Sequence, residues 1–263
     1  MSFSERYEKK LFFIHNVFLP TTYRVSTWIC LGAVLQLLSL LCLPIRVSIL
    51  IPVSVILYRL VYAAVRARDV YTTSFTDVRK GRWRTQLPAP DESINAGSDS
   101  DGVVIFILGS RINHPQGRIA ANALPVGKMF MAMWEEAETN REQWGYLGHT
   151  ATLGNLFDHE GNTQIWISYW KTLEGLHEFA KCAVHQDGQM AYIKDDSFQY
   201  VGIMHETYFA RRDSFESINY NFPPFGIGAT RWPVDKSKDL GLIDPLVKDG
   251  PKSTMFSRMG RKT

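Results

Sequence analysis

Hydrophobic residues fall along this chain in two regimes. In the amino-terminal quarter they are continuous. Residues 26–43, STWICLGAVLQLLSLLCL, carry no charge, and about 18 residues rising 1.5 Å each roughly match a hydrocarbon core of about 30 Å. A second run, residues 47–65, VSILIPVSVILYRLVYAAV, is as long but contains Pro52 and Arg59. An arginine at mid-membrane costs roughly 2.5 to 3.5 kcal/mol on insertion scales, less when its stem carries the guanidinium to the interface. The second helix is therefore expected to tilt or to sit shallowly. A buried helical hairpin of a soluble domain is the competing reading, but two adjacent runs that are apolar all round are rarely core. A cleaved signal peptide is disfavoured, because the apolar runs start too late.

Beyond residue 102 the pattern becomes short and periodic. VVIFILGSRI, from residue 103, reads as a central strand, with Arg111, Asn113 and His114 at its end. VGKMFMAMWEEAETNREQWG reads as a helix with Met129, Met133 and Ala137 on one stripe, ended by Gly145. YLGHTATLGNLF and TQIWISYW alternate as two strands around the turn DHEGN, whose Gly161 tolerates positive φ. Thr172 is a good N-cap for LEGLHEFAKCAVH, and a shorter helix around QMAYIK leads into the strand FQYVGIMHETYFA. The order β-α-β-β-α-β is ferredoxin-like, an α+β fold with helices on one sheet face. The bare face needs a cover, from a second subunit or from the carboxyl-terminal tail.

These regimes divide the chain into an anchor (1–84), a flexible Pro/Ser/Asp/Gly-rich tether (85–101), a ferredoxin-like domain (102–234) and a basic tail (235–263). Basic residues set the orientation. Lys9, Lys10 and Arg24 precede the first span, Arg66, Arg68, Arg79, Lys80, Arg82 and Arg84 follow the second, and only Arg46 lies in the turn. Both ends are then cytosolic, with the endoplasmic reticulum the expected membrane. The basic and aromatic stretch DVYTTSFTDVRKGRWRTQ suits a headgroup layer or a solvated loop. A net charge of +3, from 29 basic and 26 acidic residues, is too even to imply nucleic acid. The three cysteines offer no pairing or metal pattern, which suits a reducing compartment.

The stretch GIMHETYF, residues 202–209, breaks the apolar pattern of a core strand. Period two places Ile203, His205, Thr207 and Phe209 on one face and Met204, Glu206 and Tyr208 on the other. A buried unpaired carboxylate is costly, so Glu206 is exposed, paired, with Arg111 the candidate cation, neutral, or placed in a cavity where its chemistry is used. Trp166, Ser168 and Trp170 share a strand face, and an aromatic pocket holding Glu206 is one reading, a Trp-rich dimer seam the other. His205 is a catalyst or, on its mostly aliphatic face, a structural residue.

FILGSRINHPQG, YWKTLEGLHEFAK, VGIMHETYF and SINYNFPPFGIG together resemble the fungal monooxygenase family typified by the fumagillin-pathway enzyme. That family is similar to antibiotic-biosynthesis monooxygenases and haem-dependent aldoxime dehydratases, all of the dimeric α/β-barrel superfamily. The resemblance spans about residues 103–234. It implies a homodimeric barrel acting on a lipophilic small molecule in secondary metabolism. Matched positions are Arg111, Asn113, Trp170, His185, His205, Glu206, Tyr208, Tyr220 and Asn221, although HQDGQMAYIK departs from the family after His185.

Zinc is disfavoured, since His177 and His185 are about 12 Å apart on a continuous helix. LGSRINHPQGR lacks the spacing of a Rossmann phosphate loop. What remains is an oxidation without organic cofactor, with dioxygen as co-substrate, or a haem reaction. In the first, Glu206 is the expected base, Tyr208, His205, Arg111 and Asn113 are its catalytic neighbours, and Trp166, Ser168, Trp170 and His114 bind substrate. A membrane-tethered protein that binds a lipophilic ligand without turning it over is the non-catalytic alternative.

Overall fold

The computed structural model describes residues 23–67, 75–88, 102–120, 123–154, 162–194, 198–233, 241–250 and 253–259, with Leu11, Ile14, Val17 and Phe18. The chain separates into a unit of Tyr23–Val78 and a larger unit containing Arg79–Thr263.

In the smaller unit, α1 (Val25–Cys42) and α2 (Ile45–Arg66) form a hairpin broken only by Leu43 and Pro44. By length and composition both helices are able to cross a membrane. Pro52 lacks the N–H that would bond the carbonyl four residues back, which leaves Ser48 O without its helical donor. The Gln36 side chain of α1 donates to that carbonyl at 3.1 Å. Ser48 itself is buried, with its hydroxyl 3.0 Å from both Ser39 O and Ser39 Oγ. Small hydroxyl residues let the helices approach, and the Gln36 contact satisfies a backbone carbonyl that the proline leaves without its helical donor.

The larger unit begins with β1 (Arg79–Thr85) and β2 (Gly102–Ile112), followed by α3 (Ala123–Thr139) and the single turn α4 (Arg141–Trp144). Gly145 closes α4 at φ 64°, a left-handed position that favours glycine. Next come β3 (Tyr146–His149), β4 (Leu153–Gly154) and β5 (Thr163–Trp170). The turn expected at DHEGN lies outside the described residues. Thr172 caps α5 (Leu173–Ala180) by accepting from Gly175 N at 3.0 Å. The expected single helix over LEGLHEFAKCAVH breaks at Lys181 and Cys182, so that α6 (Ala183–Lys194) takes in QMAYIK. The long strand β6 (Val201–Arg211) then pairs antiparallel with β2 along its whole length. The sheet order β3-β5-β2-β6, antiparallel throughout, is the ferredoxin-like order.

Cross-strand partners share a face. On one side Val104 and Trp170 pack with Tyr146, Trp144, Leu176, Phe179 and Ala137 beneath the helices. On the other, Val103 and Tyr169 pack with Leu147, Leu87 and Trp232. The second face is thus partly covered by the chain's own later segments. Gly226, at φ 56°, lies so close to Tyr169 that a Cβ would stand 3.0 Å from its hydroxyl.

The expected boundaries move accordingly. β1 belongs with β7 (Ile218–Phe222) and β10 (Leu246–Lys248) in a second sheet, not with the anchor. Thr85 and Leu87 of the expected tether are buried, and Arg212 donates to the carbonyls of Leu87 and Pro88 at 3.0 and 3.3 Å. The expected tail contributes β9 (Leu242–Ile243), which pairs with β8 (Trp232–Pro233), then β10 and the short α7 (Met255–Arg258). Propensity did not reveal these pieces because each is two to four residues long and is held by charge. Asp249 has a side chain only 1% exposed, 2.8 Å from Arg82 Nε and 3.8 and 3.9 Å from Arg258 and Arg84. Arg258 also pairs with Glu216.

Removing that carboxylate takes an ionic partner from three guanidinium groups and leaves the almost buried Arg258 with Glu216 as its remaining carboxylate. Asp249→Ala should destabilise the larger unit by about 3 kcal/mol, the usual order for breaking a buried ion pair. Thermal melting of the full chain in detergent checks this, and an unchanged midpoint would return the segment to a loose tail.

Candidate functional site

Beneath the helices the core is full at one end of the sheet and open at the other. A cavity of about 660 Å³ lies between α3 and the ends of β2 and β5 marked by Ser110, Ile112, Gln164 and Trp166. Helix period explains its roof. Met133 and Ala137 turn into the core, whereas Val126, Phe130 and Trp134, four residues apart, line the cavity. Phe130 stacks on Trp166 with centroids 5.1 Å apart, and the Trp166 indole donates to Thr152 Oγ1 at 3.0 Å.

Two groups bring chemistry to this apolar space. His149, at the end of β3, lies flat against Trp134 at 4.4 Å and an interplanar angle of 14°. Its Nδ1 shares a hydrogen bond with the hydroxyl of the fully buried Tyr146. Burial pushes the Tyr146 pKa up, the Glu138 carboxylate adds to this, and Arg141 opposes it, so the phenol keeps its proton. Desolvation of the ring lowers the His149 pKa, partly offset by Glu138, although the residue as a whole is exposed to solvent. The imidazole is therefore neutral at neutral pH. A hydroxyl donates or accepts, so Tyr146 holds the ring whichever nitrogen carries the proton. At the cavity's other wall stands Arg118, whose pKa burial lowers without discharging a guanidinium. Trp134 also presents a buried indole N–H with no hydrogen-bond partner among the described residues.

Of the residues singled out from the sequence, Trp166 lines this cavity. Ser168 and Trp170 face the same side but are buried in the filled part of the core, where Trp170 Nε1 donates to Ser168 Oγ at 3.0 Å. Glu206 and Tyr208 do not join them. Register pairs Glu206 with Ile107 and Tyr208 with Ile105, and those positions lie opposite Ile167 and Tyr169 on the other face of β5. The expected aromatic pocket around Glu206 is thus split across the thickness of the sheet. Glu206 is exposed and accepts from Tyr208 at 2.6 Å. It is also not paired with Arg111, which donates to Asn113 Oδ1 at 2.9 Å and Thr163 Oγ1 at 2.6 Å. His205, exposed on the helix side, packs its ring 5.5 Å from Phe106. His114 lies in the turn after β2, where it accepts from Gln116 N and packs on Tyr200. Sequence reasoning passed over Tyr146, His149, Trp134 and Arg118. The stripe of Val126, Phe130 and Trp134, one position from the one chosen, was the available signal.

A family described as Monooxygenase af470-like matches residues 103–227. A protein named Monooxygenase af470, from Aspergillus fumigatus, is 30% identical over 252 residues, 94% of this chain and 90% of that protein. Among solved structures, SnoaB, a cofactor-independent oxygenase from Streptomyces nogalater, is similar at 13% identity and TM-score 0.30, covering 42% of this chain and 94% of its own. An aldoxime dehydratase in complex with butyraldoxime gives 19% identity and TM-score 0.43, covering 69% and 43%. At these scores neither structure bears on substrate or cofactor.

A histidine held neutral by burial contributes stability that is present above its unfolded pKa near 6.5 and is lost as pH falls through its lower folded value. His185, also lowered by burial, acts in the same direction. Melting temperature should therefore fall on acidification below about pH 6.5, and His149→Gln should remove part of that fall. An identical pH profile in the variant would show that the ring is not shielded.

Proposed function

The chain belongs to the Monooxygenase af470-like family, and on that premise we propose that the cavity under α3 is the active site of a monooxygenase acting on a lipophilic small molecule. The observation that carries this reading is the pairing of an apolar aromatic cavity with the neutral His149 fixed by Tyr146. His149 is the base. With Nδ1–H directed to Tyr146, Nε2 accepts a proton from an acidic methylene of the substrate. The resulting carbanion is electron-rich enough to reduce dioxygen without an organic cofactor. The reaction balances when the methylene carbon takes one oxygen as a carbonyl and its two hydrogens leave with the other oxygen as water. Arg118 and the Trp134 N–H, which has no hydrogen-bond partner among the described residues, supply donors for negative charge that develops on the substrate. A haem-dependent reaction is the alternative, and a stoichiometric haem absorption band in purified protein would replace this mechanism.

The membrane hairpin would hold this site at the cytosolic face of the endoplasmic reticulum, where lipophilic metabolites partition. A homodimer is part of the same reading. Strand β6 lies at the sheet edge and exposes Ile203, Met204, Tyr208 and Phe209, apolar surface on both faces. A second copy packed there would cover Glu206 and Tyr208, which keeps Glu206 as the base of a second, subunit-interface reading.

Oxygen consumption separates the two bases. His149→Gln should lower turnover by about 10²-fold to 10⁴-fold with the fold intact, while Glu206→Gln stays within about twofold. The reverse pattern would move the active site to the other sheet face. Alkaline carbonate should leave the full-length chain in the membrane pellet, and light scattering in detergent should give a dimer. Release into the supernatant, or a stable monomer, would remove the corresponding part of the proposal.

A further inference from the structure

The sheet β10-β1-β7 has one packed face and one wet face. Register places Arg84 opposite Ile218, Arg82 opposite Tyr220 and Arg79 opposite Phe222, with a bulge between Arg79 and Arg82. Asn221 enters at φ 49°, and its side chain accepts from Gly81 N at 2.8 Å, which fixes the bulge. The neighbouring positions Thr85 and Asn219 are buried, so these three pairs face outward. Ile218, Tyr220 and Phe222 are 46%, 66% and 50% exposed in one row, and Phe225 extends it, edge-on to Phe222 at 6.2 Å. A monomer rarely shows such a row without a use for it.

The charge beside the row is positive. Asp244 is shared by Arg79 and Arg231, and Asp249 by Arg82, Arg84 and Arg258, with Glu216 also on Arg258. Five guanidinium groups thus meet three carboxylates, before the exposed Lys80 of β1 is counted. The arginines of β1 stay about 30% exposed beside the row. One tyrosine with a polar hydroxyl, two phenylalanines, one aliphatic side chain and a surplus of cations are a composition that settles at the headgroup level of an anionic bilayer. β1 also follows in sequence soon after α2, which ends at Arg66.

We propose that the outer face of β1 and β7 is a membrane-docking surface for anionic lipid, separate from the hairpin and from the cavity. It does not depend on the catalytic reading. Its occupant is the lipid headgroup layer, and a second copy of the chain is the outcome that would displace it.

The test uses the full chain with Cys30, Cys42 and Cys182 replaced by Ser and an environment-sensitive fluorophore on Tyr220→Cys, an exposed position where the label disturbs no core. Phe222→Cys serves as a second label site, and Lys181→Cys, exposed on the α5–α6 junction, as the reference. The protein is reconstituted in phosphatidylcholine vesicles with and without phosphatidylserine, carrying a quencher near the headgroups. The labels at 220 and 222 should shift to the blue and lose at least about half their emission, as expected for insertion of about 5–10 Å, with the label at 181 unaffected. Quenching should weaken without phosphatidylserine and in high salt. Water-like, unquenched emission at 220 and 222 overturns the proposal. Equal quenching in pure phosphatidylcholine overturns the assignment to anionic lipid. A blue shift that instead appears in detergent and grows with protein concentration gives the surface to a second copy. Carbonate extraction reads the hairpin independently, so failure of either membrane contact is seen separately.

Discussion

The period of two along a paired strand governs the rest of this molecule. β2 is hydrogen-bonded to β5 on one side and β6 on the other, and residues opposite one another across such a ladder must point the same way. This places Trp166, Ser168 and Trp170 under the helices with Phe106 and Leu108. It places Glu206 and Tyr208 with Ile105 and Ile107 on the far side. No rotamer change exchanges the two sets, because they are separated by the sheet itself. Every chemical assignment in the larger unit follows from which side of β2 a residue occupies.

The helix face then divides along its length. Large aromatic rings close one end, where Trp170, Tyr146, Trp144 and Phe179 leave no accessible surface of consequence. At the other end Ser110 and Gln164 replace large side chains, and the space they leave is bounded by Phe130, Trp134 and Trp166. The same burial that forms the core also sets the site's chemistry. It keeps the Tyr146 phenol protonated and the His149 imidazole neutral, a state fitted to accepting a proton near neutral pH. Arg141, buried and bonded to the carbonyls of Leu147 and Arg231 at 3.3 and 3.0 Å, fixes Tyr146 from below through its ring face.

Much of the fold is legible in the sequence because it depends on local chemistry. The Thr172 cap, the Gly145 stop, the alternation of TQIWISYW and the two long apolar helices each follow from a few neighbouring residues. The family resemblance also holds. Other features depend on pairs far apart in the chain. The partner of Arg82 is Asp249, and β1 finds β7 across more than a hundred residues, so an anchor and a tail were read where one sheet forms. The site was missed for a related reason. Within a single strand, the alternation of GIMHETYF puts Glu206 and Tyr208 on one face and His205 on the other. Which face is turned to the helices depends on register with β2, which alternation in one strand cannot supply. His149 and Tyr146, three residues apart in a short strand with an irregular pairing, carry no such alternation to attract attention.

The proposed mechanism requires substrate chemistry to take place under α3 and not on the face bearing Glu206. A crystal structure of the protein with a bound substrate or non-oxidisable substrate analogue tests it most directly. The ligand should lie between Phe130, Trp134 and Trp166, with its acidic carbon within hydrogen-bond reach of His149 Nε2, about 3 Å. A ligand seated instead against Glu206 and Tyr208, with the α3 cavity empty, would contradict it.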